Sequence, residues 1–261
     1  MEYFSVIETD DRLVTVSVVS HGQGDLVAKL LEDLAHCPCV SEIILTQNVP
    51  EGEIVCPTSL LSRIRFIRND RPLGFAANHN QAFRLCGNPT FAVLNPDIRF
   101  EGDPFPQLMD AIAVSGAAIA APAVRNPHGV LEDSVRRFPS FSGLATKAVR
   151  LSSGKIHFDA GSEPFCPDWV AGMFMLFRRD AYADLAGFDE GFFLYYEDVD
   201  ICVRAWRAGM KIVVCPSVSV VHDARRDSHR SMRHMRWHLM SMARYFAKHF
   251  GRLPRVNRFA R

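Results

Sequence analysis

Residues 13–20 read LVTVSVVS, a β-branched, mostly apolar run of the kind found in a strand buried on both faces. A turn follows at His21-Gly22-Gln23-Gly24. Asp25 is placed to cap the next helix, whose apolar face includes Leu26, Leu30, Leu31 and Leu34. Residues 42–45 and 64–67 read as further strands, 75–85 as a helix, and 91–94 as a buried strand that stops at Asn95-Pro96-Asp97. This strand–helix alternation predicts an α/β fold with a mainly parallel, doubly wound sheet.

The pattern changes after about residue 125. Residues 135–140 and 169–177 read as strands, 179–185 as a short helix, and 194–209 as a helix that opens with acids. Residues 211–215 and 217–221 read as short strands divided by Pro216, and 228–250 as a long helix. Residues 139–165, rich in Ser, Gly and Pro, read as a loop. The small-apolar stretch 111–124 is broken by Ser115, Gly116 and Pro122 and is too short to span a bilayer. The acidic first twelve residues lack the apolar run of a signal peptide.

The 261 residues suit one large domain, or one domain with a small extension. Net charge is only +1, but residues 225–261 hold ten Arg and one Lys against a single acid, Asp227. An acidic body, 1–224, thus carries a basic tail, 225–261, suited to an anionic partner. The seven cysteines show no C-x-x-C pair or metal-ligand spacing, as expected of reduced thiols in a cytoplasmic protein.

In open parallel sheets ligands bind beyond the carboxyl ends of the strands. Ser20-His21-Gly22, Gln47-Asn48 and Asn95-Pro96-Asp97 fall there. Asn95 and Asp97 offer hard oxygens of the kind Mg²⁺ or Mn²⁺ prefers, although the same residues also make ordinary turns. In 192–200 (FFLYYEDVD) five bulky residues precede three acids. The acids either decorate a helix N-terminus, with Asp200 reaching Arg204, or supply a general base behind an aromatic wall. His222, after a strand, is either structural or a metal or diphosphate contact. Trp169 beside Gly172 is either a core side chain or a sugar-stacking face. Gly74 to Asn80 opens a helix whose N–H groups would suit phosphate.

Taken in order, these segments resemble family 2 glycosyltransferases, especially the bacterial rhamnosyltransferase-like branch. The most specific part is Gly187-Phe188-Asp189-Glu190 followed by 193–204 (FLYYEDVDICVR). Asp168-Trp169-Val170-Ala171-Gly172 with Arg178-Arg179, Leu94-Asn95-Pro96-Asp97, Gly74-Phe75 through Asn80, and Pro216 through His222 also match. The similarity covers roughly residues 13–223.

The resemblance implies a GT-A fold, the nucleotide-diphosphosugar transferase architecture, over 1–224. It also implies inverting transfer from a nucleotide-sugar to a glycan or lipid-linked acceptor in cell-envelope polysaccharide synthesis. It makes Asp198 the general base, supported by Glu197, and Asp97 a ligand of Mn²⁺ or Mg²⁺, joined by His222. Ser20, His21, Gln47, Asn48, Gly74, Asn80, Asn95 and Asp97 become the donor side, and Trp169 and Gly172 the acceptor-side wall. Two departures stand out: the family's Thr-Tyr-Asn after the first strand is Ser20-His21-Gly22 here, and its base-reading Asp is Gln47. A degenerate member that binds nucleotide or glycan without transfer is therefore the competing reading. A nucleotidyltransferase would need a basic Gly-rich loop, and 20–25 has no cation.

In the tail, Met232, Met235, Leu239, Met242, Phe246 and Phe250 form an amphipathic stripe, with Arg233, Arg236, Arg244 and Lys248 off it. The stripe either packs on the catalytic domain or a second subunit, or lies on an anionic membrane at the inner face of the cell membrane. Nucleic acid is not expected, because no recognised fold accompanies the charge. The whole reading requires Asp97 and Asp198 to converge.

Overall fold

The structure, a computed structural model, describes residues 12–140, 154–223 and 232–256. Its first half runs β1 (Val14–Ser20), α1 (Gly24–Leu34), β2 (Val40–Gln47), β3 (Ile64–Arg68), α2 (Phe75–Phe83), β4 (Thr90–Leu94), β5 (Ile98–Phe100) and α3 (Phe105–Ser115). The second runs β6 (Ile119–Arg125), β7 (Val135–Arg136), β8 (Trp169–Val170), β9 (Phe174–Arg178), α4 (Arg179–Asp184), α5 (Glu197–Arg207), β10 (Ile212–His222) and α6 (Met232–His249). Eight strands form one sheet in the order β3-β2-β1-β4-β9-β6-β10-β5, and β7 pairs with β8 apart from it. Neighbours β3, β2, β1 and β4 are parallel, as are β6 and β10; β9 runs antiparallel between β4 and β6, and β5 antiparallel on β10.

Both sheet faces are buried, which is why the strands read as near-continuous apolar runs. In β4, Ala92 and Leu94 join the core under α1 and α3, whereas Phe91 and Val93 join the core under α2, α4 and α5. The predicted doubly wound sheet is therefore present, with the expected face of α1 (Leu26, Leu30, Leu31, Leu34) buried.

Several local expectations are corrected. Gln23, not Asp25, occupies the N-cap of α1, and Asp25 lies in the first turn. The stretch 111–124 resolves into the end of α3, a left-handed Gly116 cap and β6, so its interruption is a helix stop. Pro216 does not divide β10, because a register shift between Cys215 and Ser219 absorbs it. Residues 169–177 split into β8 and β9, which belong to different sheets. The acid-rich helix starts at Glu197 because Tyr195 and Tyr196 are left-handed.

The boundary proposed at 224/225 and the first residues of the 228–250 helix lie outside the described residues, as do 141–153 of the 139–165 loop. Among the described residues no helix is long and apolar enough to cross a membrane. The long helix α6 does pack on the domain, but only in part by the expected stripe. Its buried residues are Ser241, Tyr245 and His249; of the stripe, Phe246 packs half-buried against the core and Met242 is half-buried, while Met232, Met235, Leu239 and Phe250 are exposed. Hydrogen bonds explain the choice. Ser241 Oγ donates to Leu194 O at 2.8 Å, Tyr245 OH to Pro139 O at 3.2 Å, and His249 Nε2 meets Asp200 Oδ1 at 2.7 Å.

Candidate active site

The carboxyl ends of β1, β2, β4, β6 and β10 lie at one end of the sheet, and β9, being antiparallel, begins there. The turn after β4 is tied to the residue before β9 by Asn95 N–H to Met173 O, 2.9 Å. The next residue back, Gly172, donates its N–H to Asp198 Oδ2 at 3.0 Å. Two hydrogen bonds and one step of chain therefore link the Asn95–Asp97 turn to Asp198, a hundred residues on. Both segments therefore lie at the same end of the sheet.

Asp97 is nearly buried. Its Oδ2 lies 3.2 Å from His222 Nε2, its backbone O accepts Asp223 N–H at 2.8 Å, and its Oδ1 is buried without a hydrogen-bond partner. The other ring nitrogen of His222 meets Glu132 Oε2 at 2.9 Å. Burial works to lower the His222 pKa, but the hydrogen bonds and charges of Asp97 and Glu132 outweigh it and raise it. Glu132 was not anticipated. It follows the 126–130 turn, and Glu132 N–H to Val124 O, 2.8 Å, folds it back beside β6; no local pattern marks that approach.

An orphaned carboxylate oxygen beside an imidazole fits a hard divalent cation. Among the described residues no ready cage of three or more His, Cys, Asp or Glu ligands exists. That suits a metal completing its shell with substrate phosphates and water.

Asp198 is half-buried at the start of α5, and its Oδ1 accepts Val199 N–H at 2.8 Å. Burial raises its pKa against the pull of the Gly172 and Val199 amides. Glu197 is buried, with Oε2 unpaired; burial first, then the Asp198 charge, pushes its pKa well above the ordinary range. Burial thus lifts both carboxyls of this adjacent pair, Glu197 the further. The preceding Tyr195 and Tyr196 have φ of 71° and 68°, a strain of about 1–3 kcal/mol each. α6 clamps that turn. Tyr195 OH lies 3.1 Å from His234 Nδ1, and the Tyr196 and Tyr245 ring centroids are 5.3 Å apart.

Other expected residues do different work. Gly74 caps α2, and its lack of a side chain admits the Phe193 backbone, whose O accepts Phe75 N–H at 2.9 Å; the expected phosphate approach there is met by protein. Asn80 is fully engaged with the segment before α5, its amide oxygen taken by Phe188 N–H and Tyr182 OH and its nitrogen by Phe188 O and Glu190. Trp169 is buried, its N–H donated to Arg137 O and its ring beside Arg136, so it backs the site instead of offering a stacking face. Asn48 brackets Leu73 through both backbone groups and also accepts from Asn69.

Ser20 Oγ donates to Glu51 at 2.8 Å, exposed His21 lies 3.2 Å from Asn48 Nδ2, and Gln47 Oε1 accepts from Arg68 at 2.9 Å. Asp200 pairs with Arg204 as expected, and also with Lys248 and His249. A cavity of about 710 Å³ lies at the far end of the sheet, lined among others by Arg12, Thr90 and Arg178. It is remote from these carboxylates, and Arg12 and Arg178 are already paired with Asp110 and Asp180.

This sheet has the GT-A architecture, and solved structures share the fold. The chain superposes on GalNAc-T7 with UDP, GalNAc and Mn²⁺ at a TM-score of 0.64 and 16% identity, over 82% of this chain and 44% of that one. It superposes on the mannosyltransferase PcManGT from Pyrobaculum calidifontis, in complex with GDP-Man and Mn²⁺, at 0.60 and 15%, over 90% and 64%. It thus spans less than two thirds of either.

The profile of Glycosyltransferase like family 2 matches residues 12–239, and the chain belongs to that family. It is 29% identical over 247 residues to Rhamnosyltransferase WbbL of Escherichia coli (strain K12), covering 90% of this chain and 93% of the relative. It is 30% identical over 252 residues to the N-acetylglucosaminyl-diphospho-decaprenol L-rhamnosyltransferase of Mycobacterium tuberculosis (strain ATCC 25618 / H37Rv), covering 84% and 78%. The protein is a glycosyltransferase of this rhamnosyltransferase-like branch.

Proposed function

We propose that the enzyme moves a sugar, with inversion, from a nucleotide-diphosphate donor to a hydroxyl of a glycan or lipid-linked saccharide. Asp198 takes the proton of the acceptor hydroxyl. The carrying observation is the Gly172 amide on Asp198, which holds a carboxylate of raised pKa at the same end of the sheet as Asp97 with its unpaired oxygen. A base whose pKa is lifted toward the working pH transfers protons more effectively. Glu197, buried beside it with its pKa pushed well up, supports Asp198 at the helix start. Asp97 and His222 would hold Mn²⁺ or Mg²⁺, which supplies charge neutralisation for a departing diphosphate. Ser20, His21, Gln47 and Asn95 line the donor side of that end. Gln47 turns its oxygen to Arg68 and so would meet a base edge as a donor through Nε2.

The competing reading, binding without transfer, draws on the same Gln47–Arg68 pairing, which replaces the family's acid. Purified protein with a nucleotide-sugar and acceptor separates the two by product formation. Nucleotides and nucleotide-sugars are screened by thermal shift with and without Mn²⁺, since a ligand of the native state raises Tm. Asp97→Ala is expected to remove the Mn²⁺-dependent part of that shift. Identical Mn²⁺ and donor titrations in the variant would take Asp97 out of the metal role.

A further inference from the structure

α6 docks through its second half, with Phe246 packed half-buried beside the docking residues. Ser241, Tyr245 and His249, spaced by four, face the domain. On the outward side Met232 is 87% exposed, Met235 58%, Leu239 51%, Met240 58%, and Phe250 just past the helix 70%. Single exposed apolar side chains are ordinary, but four within the nine residues Met232–Met240 of one helix mark an interaction surface. Arg236 lies within this face and Arg233 at its edge, both exposed, and exposed Arg252 and Arg255 follow. The surrounding segment 225–261 has ten Arg and one Lys against one acid.

We propose that this outward face of α6 lies on an anionic lipid surface. Its methionines, leucine and phenylalanine enter the boundary between headgroups and acyl chains, and its arginines meet lipid phosphates. Charge selects this occupant over a second copy, because apposing the face on itself would bring two strongly cationic segments together. The inner side of the same helix holds the turn that launches Asp198, through Ser241 on Leu194 O and His234 on Tyr195. A lipid plane on the outer side therefore sets the Asp198 end of the molecule beside the bilayer.

The test is flotation of the full chain with phosphatidylcholine vesicles, with and without phosphatidylglycerol. Binding is expected only to the anionic vesicles and weakens with salt. Met235→Glu with Leu239→Glu should cut the bound fraction roughly tenfold or more, and Arg236→Glu roughly fivefold or more. Turnover on a water-soluble acceptor analogue and the circular dichroism spectrum should be unchanged. No flotation of the wild type, or equal flotation of all variants, overturns the proposal. So does a dimer, seen by sedimentation, that the Met235/Leu239 variant dissociates, since the face would then belong to a second copy. Flotation needs neither donor nor turnover, so its failure is distinct from failure of the transferase reading.

Discussion

Asp198→Asn replaces one carboxylate oxygen by an NH₂ group where two backbone amides converge. Gly172 N–H reaches Oδ2 at 3.0 Å and Val199 N–H reaches Oδ1 at 2.8 Å. Asn can satisfy one amide but turns a donor toward the other, which costs about 1–3 kcal/mol of stability. The catalytic effect is separate. A positioned base contributes about 10²–10⁴-fold, so turnover should fall at least ~100-fold, about 2.7 kcal/mol of barrier. Donor binding, assigned to the Asp97 side, should stay largely intact. Turnover is read as nucleoside diphosphate released and acceptor glycosylated at saturating donor, and binding as the donor-induced Tm shift.

The pH profile adds a check. Burial lifts the Asp198 carboxyl above its ordinary value, and the base must be ionised. Wild-type turnover therefore falls as pH drops through a value above the usual ~4 of a free carboxyl, and the variant lacks that limb. Turnover within about threefold of wild type would refute the base role. A loss of donor-induced Tm shift that tracks the loss of turnover would assign Asp198 to binding instead.

Glu132→Ala should weaken Mn²⁺ binding roughly 10–100-fold, because the partner that orients His222 is lost; an unchanged titration would free His222 of that dependence. Asp200→Asn should cost about 3 kcal/mol, or roughly 6–12 °C in Tm. Burial opposes ionisation of Asp200, yet His249, Arg204 and Lys248 hold its carboxyl at about 2. Its depressed pKa makes that stabilisation full above the unfolded value near ~4 and lost as pH falls through the folded one. The Tm gap between wild type and variant should thus close toward pH ~2, and a gap constant across pH would contradict the pairing. Gly74→Ala puts a Cβ on the Phe193 carbonyl and 2.9 Å from its Cα. A loss of at least ~1–3 kcal/mol is expected, with reduced turnover, while Gly52→Ala, where nothing lies within 4 Å, should be silent in both.

The strands and their mainly parallel order were legible because a strand covered on both faces must be apolar along its length, as residues 13–20 and 91–94 are. The ordered motifs also placed Asp97, His222 and Asp198, since each ends a strand or opens a helix at one sheet end. Pairings between distant segments were not legible. Glu132 reaches His222 across 90 residues, and Asn80 reaches Phe188 across 108. Nothing in the composition near Glu132 or Asn80 marks those partners.

The amino-acid order by itself determined which segments form strands and helices, and that Asp97, His222 and Asp198 fall at one end of the sheet. Those properties follow from local periodicity and from the direction of each strand. Tertiary structure alone decided which of these polar residues stay available. It consumed Asn80, Asn48 and Trp169 in internal hydrogen bonds and gave Gly74 to a passing backbone. It also turned α6 over: hydrogen-bonding groups on Leu194, Pro139 and Asp200 needed partners, and Ser241, Tyr245 and His249 could satisfy them. A buried polar group without a partner costs more than an exposed methionine, so Ser241, Tyr245 and His249 face the protein, with Phe246 beside them, and the methionines and Leu239 of the first half face out.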